Sequence, residues 1–537
     1  MRILTTWVRV LATWVCLGLI LPLTALAQTA GPPSDDVTQQ TLKFARVYSL
    51  LDHYYMSDLD PGRAIEEGAI RGMLARLDPF SAFFNKDQFE ALQQQVRGEA
   101  VGFGSILFVE PGKVIVLETA EGSPSARAGL GPGDEIVAVN GTRIAGLDFQ
   151  SLIHLLQESR SHPVQLSVLA PGSLVSHEYK LSPAEVALPT IDKAFLLDQG
   201  IGYIHLDSFE SKSAQELEDA IQKLSGSNLK GLIFDLRDNH GGMIDAALGI
   251  SSVFLPHDSL VLTVRGRSSA AKSYRTFKPP LPFAGPLVVL VNQDTASAAE
   301  VVAAALQDHD RGLIAGQGTF GKGVVESIAP LSELTGIALT TAVYFTPSGR
   351  SIQKPLAGTE LEKLDFGDKD HAAPNGAAAF HTDNGRPVAG GGGVTPDVKL
   401  AAPPSDPWIS FLDQRGLFTS FASEYITRHS RVQRSFQPDN QTLQDFRDFL
   451  TYHRIRSPQE YWTADQEAIR TRIRTELFNL VFGLDAGNEV QVKSDPEVIK
   501  AEALFKQVPI ILSGPKNSVV AAGQSGRSTR RISQATR

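Results

Sequence analysis

An α/β core, preceded by a small β-rich module and flanked by helical regions, is the fold class this sequence predicts. Three observations predict it. Residues 184–355 alternate strand-like apolar runs with helix-like segments, the rhythm of an α/β domain. Residues 98–183 alternate short apolar runs with Gly, Pro and Asp turns, as a β-rich module does. Residues 38–97 and 405–510 read as helix.

The chain has 537 residues, room for three or four domains. Hydrophobic residues make up 42% and charged residues 20%, an ordinary soluble balance. A net charge of −9 argues against a nucleic-acid partner. At the N-terminus, Arg2 and Arg9 precede a nearly all-apolar run from Val10 to Leu23, and Ala25-Leu26-Ala27 follows. That is the build of a secretory signal peptide over residues 1–27, cleaved after Ala27, and it predicts a periplasmic or other extracytoplasmic location. An uncleaved membrane anchor is the alternative, although the run is short for a span of about 20 residues. Cys16, the single cysteine, lies inside this segment. The mature chain would then have no disulfide, no Cys metal ligand and no Cys nucleophile.

A polar linker leads into the helical region 38–97, where Leu42, Phe44, Val47, Leu50 and Leu51 recur at helical spacing and Asp78-Pro79 breaks the pattern. Within 98–183, Val114 to Leu117 reads as a strand. About 148–159 reads as a helix with Phe149, Leu152, Ile153 and Leu156 on one face. In the core, 184–400, Gly231 to Asp235 and Pro286 to Val291 read as buried strands, each turning into a helix. Residues 366–393, rich in Gly and Ala, predict a long loop. Ser494-Asp495-Pro496-Glu497 predicts a capping box opening the last helix of 405–510. Residues 514–537 hold five basic residues and no acid, and read as a disordered tail.

Three segments carry chemistry. Ser297 follows the strand Val288 to Val291 and the turn Asn292 to Ala296, and opens a strong helix former. A serine there meets the free N–H groups of a helix N-terminus, which favour the oxyanion of a tetrahedral intermediate. Alone, the segment favours a plain N-cap. The second segment, Gly316 to Gly323, is a glycine-rich loop carrying Lys322. Its spacing fails the phosphate-loop pattern. A lysine can instead be a general base where burial favours its neutral form. The third, Asp235-Leu236-Arg237-Asp238-Asn239-His240-Gly241-Gly242, ends a buried strand in paired glycines. These can present N–H groups to an oxyanion or simply make a tight turn.

Upstream, Ala128-Gly129-Leu130, Gly133-Asp134, Ile136 and Val139-Asn140-Gly141 give a helix end, an acidic turn, a strand and an Asn-Gly hairpin in order. With Gly102-Phe103-Gly104-Ser105 before them, they resemble a PDZ domain over 98–183; a small sandwich with incidental glycines is the alternative. The resemblance implies peptide binding by β-augmentation along a strand edge. The terminal carboxylate would sit on the loop formed by Gly102, Phe103, Gly104 and Ser105. Phe103 and the 149–156 helix would line an apolar pocket.

The three catalytic-type segments together resemble the carboxyl-terminal processing peptidases, or tail-specific proteases. The resemblance rests on the Asp235–Gly242 strand end, on Thr295-Ala296-Ser297-Ala298-Ala299-Glu300 and on Thr319-Phe320-Gly321-Lys322-Gly323, with Ser297 and Lys322 at the family's separation. Tyr344 to Gln353, Gly393 to Val398, Gly72-Met73-Leu74 and Leu77-Asp78-Pro79-Phe80-Ser81 also match, so it covers about residues 40–400. It implies a crotonase-like α/β core with an inserted PDZ domain. Ser297 would be the nucleophile and Lys322 the general base. N–H groups of Gly241 or Gly242 and of Ala298 would form the oxyanion hole.

Three departures stand out. Glu326 replaces the Gln that often orients the lysine. It is either protonated, or turned away, or the dyad works at higher pH; its plain reading is a solvent-facing strand residue. His240 stands where proline is common and reads as a turn residue. Ala299 replaces a serine. The resemblance implies an exported serine endopeptidase acting on proteins or peptides bound by their C-terminus, with no cofactor. No metal-ligand spacing appears among the twelve histidines. A weak or inactive PDZ scaffold is the competing class, and acyl-CoA chemistry on the same core a third. Homo-oligomerisation and an adaptor or activator are left open.

Overall fold

The computed structural model describes residues 35–514 except 98, 161, 188, 227–228, 268–269, 279–282, 284, 360–379, 402–405 and 430–431. The expectations for residues 1–27, including Cys16, and for 515–537 lie outside the described residues, as does 366–379.

The N-terminal region begins with α1 (Asp35–Tyr54), whose apolar side chains do recur at helical spacing. None of its residues is buried, and Leu42 is 65% exposed. Its apolar stripe therefore contributes nothing to this chain's core. Among the described residues, no helix is long and apolar enough to cross a membrane. After π-wound turns at Arg63–Ile70 and α2 (Arg71–Leu74), the chain forms a strand, β1 (Ala82–Phe84), that the helical reading missed, and then α3 (Lys86–Arg97). Phe83 and Phe84 are buried because β1 pairs with a long strand of the core, described below.

Next, β2 (Glu99–Gly102), β3 (Ser105–Glu110), β4 (Lys113–Thr119), α4 (Pro124–Ala128), β5 (Glu135–Val139), β6 (Thr142–Arg143), α5 (Phe149–Ser159), β7 (Val164–Leu169) and β8 (Ser176–Leu181) make the β-rich module. Its sheet runs β3-β4-β5-β7-β8, with β3 at one edge. Gly129 caps α4 at φ +89°, and Asn140 and Gly141 both take positive φ in the β5–β6 turn, as a hairpin of this hand requires. One face of the sheet packs on α5 through Val109, Val114, Ile136 and Leu152.

In the core, β9 (Ala184–Ala187), β10 (Ile191–Leu196), β11 (Ile201–Leu206), α6 (Ser213–Ser225), β12 (Gly231–Asp235), α7 (Ile244–Phe254), β13 (Leu260–Gly266), β14 (Lys272–Arg275), β15 (Leu287–Val291), α8 (Ala298–Asp308), β16 (Leu313–Gly316), β17 (Val324–Pro330) and β18 (Gly336–Phe345) follow in turn. The expected 366–393 loop is interrupted, since β19 (Phe380–His381) and β20 (Pro387–Val388) form a short hairpin. With β21 (Val398–Lys399), the central sheet has the order β10-β11-β12-β15-β16-β21. Every pairing from β11 to β21 is parallel. Strands buried on both faces read as continuous apolar runs, and Leu287–Val291 is entirely buried. A second, antiparallel sheet has β18 between β1 and β13, with β17 also pairing β18.

Helices α9 (Pro407–Gln414), α10 (Leu417–Arg428), α11 (Asn440–Tyr452), α12 (Gln459–Ala464), α13 (Gln466–Phe482), α14 (Leu484–Lys493), α15 (Pro496–Leu504) and α16 (Val508–Leu512) complete the described chain. They pack on the other face of the β3–β4 sheet, around Phe108 and Ile115. Glu110 accepts from Ser420 Oγ at 2.7 Å, and Lys113 reaches Ser423 at 3.0 Å. Their far end lies on the core through Val492, Val498 and Ala501. The expected capping box is not the one formed. Asp495 is the N-cap of α15, with Pro496 first in the helix, and Ser494 bonds back to Val490. Nor is this the last helix, since α16 follows.

Candidate active site

Strands β12, β15 and β16 are consecutive parallel neighbours. Their carboxyl ends therefore open on one side of the sheet, where crevices form in α/β folds. The turn after β12 ends in Gly241 and Gly242, the turn after β15 carries Ser297, and the loop after β16 carries Lys322. The three segments distant in sequence meet for this topological reason.

Ser297 is the N-cap of α8 and has φ +56° and ψ −118°, a strained conformation for a residue with a Cβ. Its Oγ is buried and has no hydrogen-bond partner, while its N–H donates to Glu300 at 2.9 Å. Gly241 presses directly on this turn. A Cβ there would lie 2.7 Å from Ala296 O and 2.9 Å from Ser297 Cβ, so only glycine fits. The two glycines differ in what their N–H groups do. Gly241 N–H donates to Asn239 Oδ1 at 2.8 Å. Gly242 N–H and Ala298 N–H have no partner among the described residues. Of the expected oxyanion donors, Gly242 and Ala298 are free, and Gly241 is committed elsewhere.

Lys322 is fully buried. Its Nζ lies 2.8 and 3.1 Å from the two oxygens of Glu326, and the Phe80 ring centroid is 4.9 Å away. The solvent-facing reading of Glu326 is thus overturned. Although it sits on β17, its side chain is buried and points at the lysine. Phe80 is held there because Asp78 accepts from Phe80 N, Ser81 N and Thr340 Oγ1, tying its turn to β18. Tyr344 OH donates to Lys322 O at 2.8 Å and lies 3.3 Å from Ser297 O. His240 is exposed, as a turn residue would be.

The residue that sequence reading missed is Glu300. It is wholly buried one turn into α8. One oxygen accepts from the amides of Ser297 and Lys322, both at 2.9 Å. The other accepts from Gly321 N at 2.8 Å and from the Thr319 hydroxyl. A single carboxylate therefore fixes the backbone of both Ser297 and Lys322. Burial pushes its carboxyl up to about 7, against four hydrogen bonds that pull it down. The signal was a Glu three residues after a Ser at a helix start, the spacing of a capping box.

In the β-rich module, Gly102 ends β2, paired with Ala184. Phe103 O and Gly104 O accept from Ser125 N and Ala120 N. Ser105 Oγ donates to Ser125 Oγ at 2.7 Å. The N–H groups of Phe103 and Gly104 have no partner among the described residues, at the head of the free edge of β3. Phe103, Phe149, Ile153 and Leu156 pack against the same apolar cluster. Among the described residues, no group of His, Cys, Asp and Glu could hold a metal.

Comparison with known proteins agrees in outline. Residues 200–360 match peptidase family S41, residues 115–169 match a PDZ domain, and residues 24–88 match the N-terminal domain of the activating protease CtpB. The chain is 32% identical over 360 residues to the chloroplastic C-terminal processing peptidase of Tetradesmus obliquus, covering 60% of this chain and 77% of that one. It is 36% identical over 294 residues to a carboxyl-terminal-processing protease of Synechocystis sp., covering 53% and 68%. It is 31% identical over 336 residues to a carboxy-terminal-processing protease of Bartonella bacilliformis, covering 62% and 77%.

Proposed function

Because the chain belongs to the carboxyl-terminal processing peptidases of peptidase family S41, and so is a serine-type peptidase, we propose that it is an exported endopeptidase that captures substrate C-termini on its PDZ domain and cuts with a Ser297–Lys322 dyad. The observation that carries this reading is the convergence, at the ends of β12, β15 and β16, of an unpartnered serine hydroxyl, a buried lysine and two uncommitted N–H groups. In this reading the core is crotonase-like.

Ser297 Oγ attacks the scissile carbonyl while its proton passes to Lys322 Nζ. The carbonyl oxygen takes the negative charge and meets the N–H groups of Gly242 and Ala298. The intermediate collapses to an acyl-enzyme as Lys322 gives the proton to the leaving amine. Water, deprotonated by Lys322, then releases the acyl group. Ser297 is only 1% exposed, so substrate entry requires the covering segments to move.

Tail capture is tested with an unfolded protein ending in an apolar residue, offered with a free C-terminal carboxylate or as the C-terminal amide. The free acid is expected to be cut at least tenfold faster at limiting substrate, a loss of about 1.4 kcal/mol on amidation. Equal rates would sink PDZ capture of the tail.

Glu326 constrains the base. For Lys322 to take the Ser297 proton its amine must be neutral, so the proton of the pair must rest on the Glu326 carboxylate or be lost to solvent. An ammonium held by a carboxylate cannot accept another. Glu326→Gln removes the counter-charge but keeps a hydrogen-bond acceptor. It is expected to raise kcat near neutral pH about tenfold. A fall in kcat would mean that the carboxylate is required to hold the proton.

A further inference from the structure

The C-terminal helices reach the active-site turn through one side chain. Arg237 lies between Leu236 and the Asp238–Gly242 turn. Its guanidinium binds Asp235 at the end of β12, with Nη2 to Oδ2 at 2.6 Å. From the opposite side, Nη1 meets Glu497 at 2.7 Å and Asp495 at 2.9 Å, both at the start of α15. Glu497 is 3% exposed. Asp495 also caps that helix, accepting from the amides of Glu497 and Val498.

On its inner side the same turn is tied to the Ser297 loop. Thr295 Oγ1 donates to Leu236 O at 2.7 Å, Ala296 N to Asn239 O at 2.9 Å, and Asn292 Nδ2 to Asp238 Oδ1 at 2.8 Å. The inner bonds fix the turn relative to Ser297. The outer ion pairs fix it relative to α15, which packs on the apolar residues beneath β12 and β15. Small displacements of an oxyanion donor are costly, because the donor must meet the charged oxygen at about 2.7–3.1 Å.

We propose that Glu497 and Asp495 are positioning residues for the proposed reaction: through Arg237 they hold the Asp238–Gly242 turn so that Gly242 N–H faces the oxyanion. The inference rests on the reading of Ser297 as nucleophile. It makes the C-terminal helices part of the support of the active site and not an appendage.

Glu497→Gln is the informative change. Arg237 keeps Asp235 and Asp495 as counter-ions, so no buried charge is stranded and the fold is retained. One anchor of the turn is weakened from a bond between two charges to one in which only Arg237 is charged. The full-length wild type, Ser297→Ala, Glu497→Gln, Glu497→Asp and Lys500→Ala are treated with a fluorophosphonate probe, which bonds covalently to an activated serine. Labelling rate is measured alongside thermal unfolding and steady-state kinetics on a peptide. Wild type labelled and Ser297→Ala unlabelled is the expected frame. Within it, Glu497→Gln is expected to label about tenfold more slowly, to lose kcat with KM unchanged, and to be partly rescued in Glu497→Asp. Lys500→Ala, exposed on the same helix, should match the wild type. Glu497→Gln labelling at the wild-type rate, whatever its unfolding temperature, overturns the inference and leaves the nucleophile intact. An unlabelled wild type overturns both.

Discussion

Ser297→Ala is expected to abolish peptide cleavage, by at least about 10⁴-fold in kcat, without weakening the fold. The two halves of this expectation have separate causes. Loss of activity follows from removing the oxygen proposed to attack, for which the turn holds no substitute: the neighbouring positions are Ala296, Ala298 and Ala299. Retention of stability follows from the hydrogen-bond inventory. The Ser297 hydroxyl is buried and makes no close hydrogen bond, facing only the Glu300 N–H of its capping box, so its removal costs little. The positive φ of residue 297 burdens serine and alanine alike. The variant should therefore unfold close to the wild-type temperature while still binding an apolar tail. Mass spectrometry of fragments and calorimetry on the same samples test both halves. Cleavage persisting in the variant would remove Ser297 from the mechanism. A large drop in unfolding temperature would mean that the serine is structural. Lys322→Ala is a poorer test, because it leaves the buried Glu326 carboxylate without its ammonium, at a cost of about 3–5 kcal/mol.

What the sequence made legible divides along physical lines. Local, period-driven features were readable. The apolar runs of β12 and β15, the helix ending on Gly129 and the Asn140-Gly141 turn stand where the residues put them, because burial on both faces demands the runs and backbone sterics the two turns. Ser297, Lys322 and the glycine pair were readable as motifs, and their meeting follows from the parallel order of three strands. Features set by tertiary partners were not readable. The stripe on α1 has correct helical spacing, yet spacing cannot say whether a face finds a core. Phe83 and Phe84 became a strand only because β18 offered an edge. Glu326 could be read as outward or inward from its strand position until the lysine fixed its direction. Arg237 and Glu497 are 260 positions apart, beyond any local pattern. Glu300 shows the sharpest difference. In a run of Ala, Val and Leu it reads as one more helix-former, and its weight comes from one donor at its own N-cap and three brought by the Thr319–Lys322 loop.

Replacing Glu300 should produce the largest combined loss of stability and activity. In Glu300→Ala the amides of Ser297, Gly321 and Lys322 and the Thr319 hydroxyl all lose their acceptor inside a site that water does not reach. Several stranded donors at 1–3 kcal/mol each, partly relieved by relaxation, predict a loss of about 4 kcal/mol. Cleavage should vanish with it, since the backbone of the proposed nucleophile and base is no longer fixed by a common atom. Glu300→Gln keeps the volume but must turn an NH₂ toward one of the two donor pairs, so it should rescue stability better than activity. The carboxyl also leaves a pH signature. Burial raises it from an ordinary 4.5 to about 7, so the folded chain holds this proton where the unfolded chain has released it. Folding then takes up a proton between those limits, and the Glu300 contribution to stability falls as pH rises from about 4.5 to about 7, by roughly 3 kcal/mol, and is flat above. Denaturant unfolding of wild type and Glu300→Gln at successive pH values isolates this contribution, since other titrations appear in both. A difference that narrows in favour of the variant across that window supports the raised carboxyl. A difference independent of pH would mean that the four hydrogen bonds outweigh burial and that Glu300 stays ionised throughout, a fixed negative charge beneath both Ser297 and Lys322.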